Sequence, residues 1–194
     1  MFPVMTPKKL GAARAKKKRR PDPEEMGQLN LFDQSKLVAL SRPVNFFEEA
    51  LAMDEQGDSR AEETYLMAIR HKQSVADAYC NLGIMLADRD EPAQAVNYFT
   101  SCLRENPRHF EAHYNLANLY SDKGSLELAQ LHYEITIGLE PEFPNSHYNL
   151  GLVQISMKKY REAVESIRSY ARLATDYDHK AVNELIKTLT SIAQ

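Results

Sequence analysis

A chain of 194 residues, 43% apolar and with seven glycines, is long enough to bury a core and short enough for one domain with a tail. No apolar run approaches the length of a membrane span, and the opening MFPVMTPKKL is broken by prolines and runs into lysines, so neither a membrane protein nor a secreted one is expected and a cytoplasmic one is. Cys80 and Cys102 are too few for a disulfide framework and lack metal-ligand spacing, which points to reduced thiols.

Charge is uneven along the chain. The first twenty residues hold Lys8, Lys9, Arg14, Lys16, Lys17, Lys18, Arg19 and Arg20 with no acid, a local +8 against a total of −3, which leaves −11 for the rest. A basic arm precedes an acidic body. From Pro21 to Pro43 the chain is polar and proline-marked, so residues 1–41 are read as a disordered arm and linker. Within it, KKKRR is suited to contacting nucleic-acid phosphates, to serving as a nuclear import signal in a eukaryote, or simply to keeping the chain soluble. Gln28, Leu29, Leu31 and Phe32, in QLNLF, resemble the pentapeptide by which bacterial proteins dock onto the DNA-polymerase sliding clamp, although Asn30 stands where that pattern prefers Ser or Asp. The competing reading is a short helix packing Leu29, Leu31 and Phe32 on the body.

From residue 42 the pattern is helical and periodic. AYCNLGIML, AHYNLANLY and SHYNLGLVQ place Asn81, Asn115 and Asn149 at one fixed interval of 34 residues. Between Ala76 and His109 a helix-spaced apolar run breaks at DRDE, a second runs from Pro92 to Leu103, and Asn106-Pro107 ends it. Pro92 and Pro107 sit where a missing N–H is tolerated. The same helix, turn, helix unit recurs over 110–143, turning at Lys123-Gly124, and over 144–177, turning near Met157-Lys158. A divergent copy over 42–75 has Ala61, Tyr65 and Ala68 in its second helix but Glu48 and Glu49 where apolar residues belong, so its first helix is expected to be shifted in register. Finally, Asp178 caps a helix over 179–193 whose Val182, Leu185, Ile186, Leu189 and Ile192 form one apolar stripe.

These residues resemble the tetratricopeptide repeat family. The unit at Ala76 fills each slot of that 34-residue pattern with Tyr79, Leu82, Gly83, Leu86, Ala95, Phe99, Cys102 and Pro107. The next supplies His113, Leu116, Ala117, Tyr120, Ala129, Tyr133, Thr136 and Pro141, and the last drifts after Ala163. The fold class implied is all-α: a tetratricopeptide (TPR) superhelical solenoid of about four helix-turn-helix repeats over 42–178 with a C-terminal capping helix. One hairpin cannot cover its own apolar face, so neighbours must stack.

No Gly-rich phosphate loop, zinc spacing or nucleophile elbow is present in the sequence, so neither an enzyme nor a cofactor is expected. His109 and His113 lie four apart as metal ligands on a helix would, but His113 fills a bulky packing slot and His109 an inter-repeat turn. Packing is the fuller explanation. Cys102 fills a small slot and reads as inert, while Cys80 is placed to face the groove without a basic neighbour in its own turn to activate it.

Function then rests on surface recognition. The resemblance implies that the first helix of each pair lines a concave groove, and none of its groove positions in the last three units is basic, against capture of a terminal carboxylate. Asn81, Asn115 and Asn149 are expected to form a ladder of amides that holds an extended peptide backbone, with Asn118, Tyr114 and Tyr148 beside them. Amides solvated or bonded within their repeat are the alternative. Asp77 and Glu111 add acidity that favours a neutral or basic partner. The chain is thus expected to be a monomeric, non-catalytic adaptor for a protein or peptide; the alternative is a DNA-associated accessory protein tethered by its arm and the QLNLF segment.

Overall fold

Helix ends follow from local chemistry. In the computed structural model, which describes residues 44–194, nine helices run in chain order: α1 Phe46–Glu55, α2 Ala61–Arg70, α3 Val75–Asp88, α4 Pro92–Glu105, α5 Phe110–Asp122, α6 Leu126–Leu139, α7 Pro144–Ser156, α8 Tyr160–Leu173 and α9 His179–Ile192. The basic arm and the QLNLF segment, with the expectations attached to them, lie outside the described residues. Pro92 and Pro144 occupy the first turns of α4 and α7, where no intrahelical donor is needed. Asn45 and Asp178 cap α1 and α9 by accepting from the backbone N–H of Glu48 (3.4 Å) and Ala181 (3.0 Å).

The turns repeat as strictly as the helices. Asp90, Gly124 and Lys158, each 34 residues from the next, are all left-handed, with φ of 61°, 73° and 61°. Only Gly124 adopts that conformation without a Cβ penalty. The small slots have an equally direct cause. A Cβ on Gly83 would stand 2.7 Å from the Phe99 ring, and one on Gly151 would stand 2.6 Å from Ile167, so the paired helices approach too closely for any side chain there. Tyr65, Phe99, Tyr133 and Ile167, the residues that fill this space in successive hairpins, are fully buried.

Each hairpin packs on the next through its second helix and the following first helix, and α9 closes the stack on α8. In addition α3 touches α5 and α5 touches α7, so the first helices form an inner wall. The first hairpin differs as expected. Residues 56–60 link α1 to α2, against three-residue links at 89–91, 123–125 and 157–159, and the longer link turns α1 so that Phe47 and Ala50 are buried while Glu48 and Glu49 are exposed. On α9, Val182 and Leu189 are buried, but Ile192 is 43% exposed because the stripe outruns the surface of α8 that it covers. Among the described residues no helix is long and apolar enough to cross a membrane.

Candidate functional site

The inner wall does not present its amides as the periodicity predicted. Asn81 and Asn149 are 1% exposed and Asn115 8%, because this slot faces the preceding repeat as much as the groove. Asn81 Nδ2 donates to the Tyr65 hydroxyl at 3.1 Å, across the seam between hairpins. Asn149 Nδ2 donates to the Tyr114 hydroxyl and to Asn118 Oδ1, both at 3.2 Å, and Asn118 Oδ1 also accepts from the Tyr133 hydroxyl at 2.6 Å. Tyr114, expected to offer a ligand its ring, is fully buried. The open ladder is therefore corrected to a set of ties between repeats. Among its atoms, Asn115 Nδ2 and Asn81 Oδ1 are buried without a hydrogen-bond partner.

Tyr148 is half-buried and lines a small cavity against α9 with Tyr170, Tyr177 and Asp178. Asp77 and Glu111 are half-buried too, but both carboxylates address one ring: Asp77 Oδ1 lies 3.2 Å from His109 Nε2, and Glu111 Oε2 lies 3.3 Å from Nδ1. Their acidity is in part already answered within the protein. Asp88 and Asp122, at the end of the same wall, are exposed.

His109 belongs to a cluster that no sequence motif announced. It sits at the N-cap of α5, where Nδ1 accepts from the Ala112 N–H at 3.3 Å, and it meets Cys80 of α3 and Cys102 of α4, with one ligand atom from each residue within 4.8 Å of the others. Cys80 does not face the groove; both free thiols are fully buried. A hydrogen bond from Cys80 lowers the Cys102 thiol to about 6 in spite of burial, with help from His109, and the same contact together with burial pushes Cys80 up. Burial opposes charge on His109, but Asp77, Cys102 and Glu111 outweigh it and raise the ring to about 10.

His113 is not part of this cluster. Its Nδ1 lies 3.0 Å from Nδ1 of His132 on α6, and its Nε2 lies 3.1 Å from the Pro107 carbonyl. Since the carbonyl only accepts, His113 carries its proton on Nε2 and accepts from His132 at Nδ1. Burial lowers the pKa of both rings, that of His132 to about 4.

Stacked antiparallel hairpins with an inner wall of first helices define a helical-repeat solenoid. Models of the tetratricopeptide repeat match residues 86–135 and 115–178, and the chain belongs to the tetratricopeptide repeat family. It is 28% identical over 130 residues to protein O-mannosyl-transferase Tmtc3 of Drosophila melanogaster, covering 66% of this chain and 14% of that protein. It is 30% identical over 94 residues to Hsp70-Hsp90 organizing protein 1 of Glycine max, covering 48% and 16%. The chain thus spans about one-seventh of the length of these curated relatives. Among solved structures it is similar to YrrB, a TPR protein with an unusual peptide-binding site, with a TM-score of 0.59 at 17% identity over 73% of each chain.

Proposed function

We propose that this chain is a non-catalytic adaptor whose inner wall, formed by α3, α5 and α7, holds an extended peptide of neutral or basic character. The observation that carries the reading is the inner wall itself, where α3 touches α5 and α5 touches α7 and the acids at its end stay exposed. Exposed Asp88 and Asp122 on the wall, with no Lys or Arg at its groove positions, favour a ligand that is not acidic. The peptide-binding site of the similar YrrB and the organizing role in the name of the soybean relative support the same class of function.

The test uses peptides selected from a random display library on the full chain. Asp88→Lys together with Asp122→Lys should weaken binding of selected neutral or basic peptides several-fold with helicity unchanged, because both side chains are exposed on the wall. Selection of no peptide, or equal affinity in the variant, removes the wall from the mechanism.

A further inference from the structure

We propose that Cys80, Cys102 and His109 bind a thiophilic d10 metal ion, Zn2+ or Cu+, which pins the α3–α4 hairpin to the start of α5. Two sulfurs and an imidazole nitrogen are the donors such ions prefer. Their ligand atoms already lie within 4.8 Å of one another, although they come from three different helices or their caps. Ligands at about 2.0–2.3 Å from a tetrahedral ion stand roughly 3.3–3.8 Å apart, so a contraction of about 1 Å closes the set.

Packing accounts for only one of the three. Cys102 fills a small slot that alanine would fill as well, but no stacking rule asks for a thiol at 80 against it. Nor is histidine a preferred N-cap; Ser, Asp or Asn would serve α5 better at 109. The surroundings are also those of a ligand. Asp77 Oδ1, 3.2 Å from His109 Nε2, orients the ring as carboxylates beside metal-bound imidazoles do. Its side chain is 36% exposed while that of His109 is 3% exposed, so Asp77 marks the side by which an ion reaches the buried set. Cu+ is satisfied by the three ligands, and for Zn2+ a water molecule supplies the fourth. On binding, each sulfur that carries a proton and the ring nitrogen that takes the ion release theirs to solvent.

The experiment is titration of the full, reduced, metal-free chain with Zn2+ alone and, in a separate arm, with Cu+ under anaerobic conditions, each against a chromophoric chelator. One equivalent of either ion should bind, and Co2+ in place of Zn2+ should show thiolate-to-metal charge transfer. Cys102→Ala keeps the small slot and His109→Asn keeps a cap, so both should fold with wild-type helicity and lose the site. Asp77→Asn should weaken binding about 10–100-fold, and His132→Gln, remote from the cluster, should leave it unchanged. Binding of Zn2+ only, or of Cu+ only, supports the site and assigns its ion. If neither ion binds while both thiols titrate as reduced, or if stoichiometric binding survives in Cys102→Ala, the proposal is overturned.

Discussion

Two seams of the solenoid share their asparagine and differ in the side chains around it. Where α7 meets the preceding hairpin, the Tyr133 hydroxyl joins Asn118 and Asn149 in a closed network. Thirty-four residues earlier Phe99 stands in the place of Tyr133 and Asn115 in that of Asn149, and the Asn115 amide donor is left without a partner. One period earlier still, Tyr65 restores the hydroxyl and Asn81 bonds to it. The asparagine alone therefore does not decide its role; the preceding hairpin does, where Cys80 and Ile84 hold for Asn115 the repeat positions that Tyr114 and Asn118 hold for Asn149.

The largest way to disturb this contrast is to empty the core beneath the Phe99 seam. Leu116 is 2% exposed, and Leu116→Ala should cost about 2–5 kcal/mol in urea unfolding; a loss below about 0.5 kcal/mol would place it outside the core. A smaller change breaks the closed seam itself. Tyr133→Phe removes the donor at 2.6 Å from Asn118 and should cost about 1–2 kcal/mol, leaving the bonds of Asn149 to Tyr114 and Asn118 in place. The converse, Phe99→Tyr, supplies a hydroxyl beside Asn115 and should stabilise by about 0.5–1.5 kcal/mol. Both effects are read by urea unfolding, and no gain in Phe99→Tyr would show that the new hydroxyl does not meet the amide.

A separate effect is a pH slope of opposite sign on the two sides of α5. Folded His132 holds its pKa near 4 against an ordinary 6.5, so the unfolded chain takes up the proton first and stability falls as pH drops through that window. His109, raised to about 10, behaves in reverse: its stabilisation is complete below 6.5 and is lost as pH rises through about 10. Unfolding midpoints should therefore decline between about pH 6.5 and 4 in the wild type and decline less in His132→Gln. An unchanged slope in that variant would assign it to other groups.

Much of this fold was legible because repeat slots are local. Gly83, Ala117 and Gly151 had to be small, Asp178 had to cap, and the turns at 90, 124 and 158 followed from one period. The first hairpin was legible only as a misfit, since two extra residues in its link rotate α1 and a fixed template cannot follow that. The site was read less well. Position within a repeat told that Asn81 lay on the inner side, but not that the Tyr65 hydroxyl of the preceding hairpin would claim it. Cys80, Cys102 and His109 carry no motif because their spacing is set by stacking, and histidine in a turn reads as surface until the neighbouring hairpin covers it.

Because every hairpin touches only its neighbours, the molecule has the mechanics of a coil spring. An extension applied between its ends is divided into small rotations at each seam, and no single core has to yield. The width of the inner wall is then an elastic quantity, adjustable to the length of what lies along it. An ion held by Cys80, Cys102 and His109 would stiffen one coil and leave the others compliant, so that a stretched ligand would strain the chain unevenly along its length.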